Sequence, residues 1–265
     1  MTLGFSVEAL LPHARLSGPL RMGLHRLSEE DWLQSSPDVA LRQAAFDEFP
    51  QAVQVLPEAE DAEAELAAMV GISGGLEDAA RDIWEDLCIL TKAEADAPYR
   101  LTAGAVAFPT DWHLSDKMGL GLTDVHAPIH GYAEQLAIGV DHFMTTLRPD
   151  QIFGRTNCFI VGNSDLRYLP PASPEARFAG LSAENAGQRL YIRCERQSLR
   201  RLPQTGAILF TIGVYVEALG MLSKEALAKV SSAFTDASQG EHDRRAAPFY
   251  APILADYCTQ KCQEE

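Results

Sequence analysis

No run of about 18 uninterrupted apolar residues occurs in this chain, so a membrane-spanning helix is not expected. Positive charge is scarce: 22 Lys and Arg stand against 37 Asp and Glu. That balance removes the basic field that general nucleic-acid binding needs. Much of the acid lies in 57–66 (PEAEDAEAEL) and 77–86. These stretches read as solvated helix faces, with a docking surface for a basic redox partner as the alternative. The five cysteines, Cys88, Cys158, Cys194, Cys258 and Cys262, are odd in number and scattered, so no disulfide framework is indicated. Cys258 and Cys262 lack a nearby His and make a weak metal site, while the other three read as small core residues. There is no Gly-x-Ser-x-Gly elbow, Gly-Lys-Ser/Thr phosphate loop, dinucleotide fingerprint or Cys-x-x-Cys pair. The N-terminal stretch carries Glu8 and no basic leader, giving the expectation of a cytoplasmic protein without a secretory signal.

What remains is enough to build a core. With 265 residues, 46% of them hydrophobic, the chain can bury its apolar side chains without disulfides or structural metal. Its most informative stretch is 191–215, YIRCERQSLRRLPQTGAILFTIGVY. Leu190, Ile192 and Cys194 alternate with Tyr191, Arg193, Glu195 and Gln197. Beyond a Pro/Gly loop, Ile208, Phe210, Ile212 and Val214 alternate with Leu209, Thr211, Gly213 and Tyr215. Period-two alternation on both sides of a short loop predicts a hairpin. The density of charge, with Arg196, Arg200 and Arg201 added, points to a pocket wall.

Further strands are expected at 99–108 and 156–162. Helices are expected near 27–33 and over 38–48, 57–70, 76–92, 133–147, 222–237 (capped by Ser223) and part of 240–262. In 76–92, the residues Ala80, Ile83, Trp84, Leu87 and Leu90 recur at helical spacing. The sum is an α+β fold: one mainly antiparallel sheet with flanking helices, in a single domain spanning 1–265.

Between 109 and 131 the chain becomes rich in Gly and Pro and carries His113, His126 and His130. A long irregular segment inside a compact domain usually carries function. His126 and His130 flank Ala-Pro-Ile and are not an HExxH pair. Apolar walls, a loop histidine and several arginines could together hold an apolar cofactor bearing carboxylates. Hydrogen-bonded loop histidines and bracing arginines are the plainer alternative.

The runs LTAGAVAFPTDWHLSDKMGLGLTDVHAPIHGY, GRTN and RCERQSLRRLPQTGAILFTIGVY, with MGLHRLSEEDWL and EDLCIL, carry a resemblance. Over about residues 20–220 the chain resembles the haem-dependent oxidative N-demethylase family. The resemblance implies a PAS-like antiparallel sheet binding haem b. It also implies oxidative removal of a methyl group from a small, dimethylamine-like secondary amine, releasing formaldehyde. Electrons would come from a separate flavin/iron–sulfur reductase, since no such motif occurs here. A homo-oligomer is compatible with the sequence.

Carried over by position, His126 is the expected axial ligand and metal residue, with His130 the second choice. Lys117, Arg155, Arg196 and Arg200 are expected at the haem propionates. Glu195 is expected to meet the substrate ammonium, and Tyr215 to offer a phenol. Two departures stand out. Cys158 closes Arg155-Thr156-Asn157-Cys158 where the family carries Trp, removing an aromatic wall. Gly213 stands where the family carries Arg, removing a charge from the polar strand face at the expected pocket. A PAS-like haem or small-ligand sensor without turnover, and a cofactor-free module, remain the competing readings.

Overall fold

The computed structural model describes residues 2–14, 20–94, 96–171, 173–235 and 245–263. The expected helical residues 236–237, the stretch 240–244 and the Cys262 side chain lie outside the described set. Seven strands form one antiparallel sheet: β1 (His25–Leu27), β2 (Val53–Val55), β3 (Asp86–Thr91), β4 (Arg100–Ala105), β5 (Ile152–Val161), β6 (Tyr191–Arg201) and β7 (Ile208–Ala218). Their order across the sheet is β1-β5-β6-β7-β3-β4-β2, which is compatible with a PAS-like arrangement.

The helices in chain order begin with α1 (Val7–Leu10), α2 (Ala40–Glu48), α3 (Glu60–Met69) and α4 (Leu76–Asp82). Next come α5 (Leu122–Val125), α6 (Tyr132–Gln135), α7 (Ala137–Thr146), α8 (Pro174–Arg177) and α9 (Ala186–Arg189). The last two are α10 (Lys224–Thr235), where Ser223 Oγ accepts from Ala226 N–H, and α11 (Ala251–Gln263).

The expected helix over 76–92 is corrected: α4 stops at Asp82 and the chain re-enters as β3. Leu87, Cys88, Ile89 and Leu90 are all buried. A strand covered on both faces is apolar at every position, so its spacing also satisfies a helical stripe. The helix expected near 27–33 is absent too; residues 28–33 form turns. Ser28 Oγ donates to Asp31 Oδ2 at 3.1 Å, a local bond that competes with a helical start. The helix expected over 133–147 is two helices, broken at Leu136.

The chain divides into two compact units. One comprises Met1–Leu3, Leu20–Arg155 and Arg196–Gly213; the other comprises Gly4–Pro19, Thr156–Glu195 and Val214–Glu265. Each of β5, β6 and β7 contributes residues to both.

In the first unit, side-chain pairing fixes which residues share a face of the sheet. Ser198 Oγ and Thr211 Oγ1 lie 2.6 Å apart, so the even residues of β6 share a face with the odd residues of β7. On the opposite face, Phe210 pairs with Cys88 and Ile208 with Leu90. There Leu199, Ile208, Cys88, Leu90 and Leu101 join Leu114, Leu122, Met144 and Leu147 in one apolar cluster. The 112–147 segment therefore covers that side. The Ser198 side is covered by residues 28–34, whose Asp31 and Trp32 carbonyls accept from Arg196.

The second unit packs α10 against α11. Phe178 meets Tyr250 at 5.1 Å, and the Arg245 guanidinium lies 3.5 Å over the Phe159 ring. Buried Arg193 donates from Nη1 to Asp165 O at 3.1 Å.

Candidate functional site

Strand β4 delivers the chain into the histidine loop, and backbone bonds then tie the loop back to that strand. Leu101 N–H donates to Leu120 O at 3.0 Å, and Gly119 N–H donates to Leu101 O at 2.7 Å. Arg100 Nε donates to Gly119 O at 2.6 Å. Leu114 sits directly on Gly104, where a Cβ would lie 2.6 Å from its Cδ1. A side chain at 104 would force the Leu114 side chain to shift.

His126 follows the short helix α5. Its ring Nδ1 is 2.8 Å from the Leu122 carbonyl, which also accepts from the His126 backbone N–H at 3.0 Å. A carbonyl can only accept, so Nδ1 carries the proton and Nε2 is the lone-pair nitrogen of the neutral ring. Lys117 Nζ donates to Val125 O at 2.6 Å, bracing the residue before the histidine. Burial is the main influence on this ammonium and lowers its pKa, with Asp116 opposing.

One ring face of His126 is also held. Gly131, at φ +80°, starts α6 in the left-handed region and turns Tyr132 back onto the imidazole. The two rings stack at 4.3 Å with an interplanar angle of 12°. Tyr132 is 4% exposed, and its hydroxyl is buried without a hydrogen-bond partner. Burial, helped by the Asp141 charge, pushes its phenol up to about 12, so it is a neutral donor. Reading the sequence missed this residue; its only local signal was the His-Gly-Tyr step.

The remaining expected residues are distributed unequally. On β5, Arg155 alternates with buried neighbours and shares the face of Phe153, and Phe153 meets Phe143 of α7 edge-on at 5.2 Å. Gln197 shares a face of β6 with Leu199, and Glu195 continues that face as the strand enters the second unit. His130 is exposed.

Arg196 and Arg200, expected at propionates, point the other way, to the 28–34 segment. Arg196 is fully buried and donates to Asp31 O and Trp32 O (2.9 Å to the latter). Arg200 lies 4.3 Å over the Trp32 ring and pairs with Glu29 at 2.5 Å. Side-chain alternation fixes this: 196, 198 and 200 share the Thr211 face, away from Phe210 and the histidine loop. Gly213 and Tyr215 follow the parity of Thr211, so neither Tyr215 nor the missing charge at 213 lies on the Phe210 face. Cys158, the other departure, is buried in the second unit and hydrogen-bonded to Cys194.

The family described as haem-dependent oxidative N-demethylase, alpha subunit-like, matches residues 72–243. The chain belongs to this family. The match contains the whole histidine loop, α7 and strands β3 to β7.

The residues on the Phe210 side fit a haem of the kind the family description names. Among the described residues no group of three or more His, Cys, Asp or Glu could hold a metal. A haem needs one protein nitrogen, apolar walls and donors for its carboxylates. His126 Nε2, with its Nδ1 proton given to a backbone carbonyl, has the arrangement typical of ligating histidines. Leu122, Val140, Phe143, Phe153 and Phe210 supply apolar surface, the last four only partly buried.

Proposed function

We propose that this protein binds haem b against the Phe210 face of its sheet, with His126 as the residue that would hold its iron. On this reading it carries out oxidative N-demethylation of a small, dimethylamine-like secondary amine. Dimethylamine, dioxygen, two electrons and two protons would give methylamine, formaldehyde and water. The observation that carries the reading is the Nδ1 hydrogen bond of His126 to Leu122 O, which leaves Nε2 as the donor nitrogen. Bound haem would supply dioxygen activation; the protein supplies binding and proton management.

Lys117 and Arg155 are the cationic groups retained for the propionates, and His130 is the reserve ligand. One of the three ammonium protons of Lys117 is committed to Val125 O. Glu195, in the Glu-Arg-Gln run of the family resemblance, is proposed to hold the substrate ammonium. Tyr215, on the other face, is left out.

The chain is read as one functional domain because β5, β6 and β7 each run through both compact units. The family description includes the words alpha subunit, which supports assembly with other subunits; a flavin/iron–sulfur reductase is the proposed electron donor. The place proposed is the cytoplasm. A sensor without turnover loses support, since the Gly213 departure falls on the Thr211 face.

The test uses full-length protein from haem-replete cells. A Soret band that His126→Ala abolishes is expected, followed by dimethylamine-dependent formaldehyde release once a reductase is added. Absence of a Soret band in the wild type overturns the haem reading. A Soret band without formaldehyde overturns the demethylase reading in favour of a sensor.

A further inference from the structure

We infer that Tyr132 is the positioning residue for His126, and that its unpaired hydroxyl is the donor for a carboxylate of the group bound there. The inference rests on the proposed haem reading and extends it to a residue that reading does not need.

Three observations combine. The Tyr132 ring lies parallel to the imidazole at 4.3 Å. With Nδ1 bonded to Leu122 O at 2.8 Å, the imidazole is constrained both in its plane and by its face. Together these two contacts fix the direction of Nε2, which a single hydrogen bond would leave free to swing.

The phenol, meanwhile, is left in a costly state. Tyr132 is 4% exposed, yet its Oη has no hydrogen-bond partner. A buried hydroxyl without a partner destabilises a fold by about 1–3 kcal/mol. A tyrosine retained only for stacking would be better as phenylalanine. The hydroxyl is explained if a ligand completes the bond.

The ligand atom must be an acceptor. The phenol O–H carries a proton to donate, and it is buried with no acceptor beside it. Of the groups a haem brings, the propionate carboxylates are the strong acceptors. Lys117, braced on the residue preceding His126, adds positive charge to the same loop.

The test compares wild type, Tyr132→Phe, Tyr132→Leu and His126→Ala as full-length proteins. Each is titrated with iron protoporphyrin IX and with its dimethyl ester, which lacks free carboxylates. Thermal midpoints are measured without haem, and electron paramagnetic resonance is recorded on the ferric complexes.

Tyr132→Phe keeps the stack and loses the donor. It should weaken haem binding roughly tenfold, leave ester binding unchanged, and melt no lower than wild type before haem is added. Tyr132→Leu loses both contacts, and its ferric signal should broaden as the imidazole gains freedom.

Equal haem affinity in wild type and Tyr132→Phe overturns the donor role. An unchanged ferric signal in Tyr132→Leu overturns the positioning role. A lower midpoint in haem-free Tyr132→Phe shows that the hydroxyl serves the fold instead, and also overturns the donor role. If His126→Ala still removes the Soret band in these cases, the haem reading stands while this inference falls. If wild type shows no His126-dependent binding, both fall together.

Discussion

Two regions of the first compact unit use their chemistry-bearing side chains in opposite ways. Around the start of β3 and beneath Arg196 the charges are buried and bonded to one another and to the backbone. Arg42, fully buried, donates to Ala80 O, Trp84 O, Glu85 O and Asp86 Oδ1 at 2.6–2.9 Å. Asp86 also accepts from the backbone N–H groups of Ala107 and Phe108. On the histidine side β3 and β7 present apolar side chains, several large ones in the cluster are half-buried, and the phenol of Tyr132 lacks a partner. Charge density therefore marks the braced region, and large, half-buried apolar side chains mark the site. A buried ion pair whose partners are all in place is a structural commitment; breaking it strands a charge.

The harshest way to separate the two regions is Asp86→Ala. It strands the Arg42 guanidinium and two backbone donors, and should lower unfolding free energy by about 3–5 kcal/mol in urea titrations. On the other side, His126→Ala should leave the urea midpoint nearly unchanged while haem affinity falls on the order of a hundredfold, measured by Soret titration. Arg196→Met sharpens the contrast. It should cost about 2 kcal/mol of stability by releasing two backbone carbonyls, yet leave haem affinity unchanged. Loss of haem binding in that variant would break the distinction between the regions.

Glu85 gives a pH test of the braced region. It is fully buried, with Oε1 accepting from Gln34 N–H and Oε2 without a partner. Burial raises its pKa, against the lowering effects of Gln34, Arg196 and Arg42. A carboxyl whose folded pKa exceeds its unfolded value binds more protons in the native state between the two. Stability should therefore fall as pH rises from the ordinary carboxylate range through the folded pKa. Glu85→Gln should flatten that decline and raise stability at neutral pH in chemical denaturation. The smallest effect is expected at Arg200. Its pair with Glu29 is largely exposed on the acid side, so Arg200→Ala should shift stability by less than about 1 kcal/mol.

Much of the fold was legible because strand alternation is a local property. Four expected strands were found within a few residues, and Ser223 caps α10 as read. The missed β3 shows the limit: Leu87–Leu90 is apolar at every position, and helix and central strand then look alike. At the site, His126 and its loop were visible as an irregular segment that composition alone could flag. Tyr132 was not, because its meaning comes from a stack created by the turn at Gly131.

The alternation of β6 and β7, the Gly/Pro-rich histidine loop and the excess of acid over base were fixed by the chain's own residues. Each depends only on neighbours along the backbone. Which face of β6 meets which face of β7 was decided in three dimensions, by the Ser198–Thr211 contact and the β3–β7 register. That choice sent Arg196 and Arg200 to the 28–34 segment, and left Leu199 and Phe210 beside the histidine loop. The side-chain period of a strand states that two faces exist; only packing against other elements determines what each one meets.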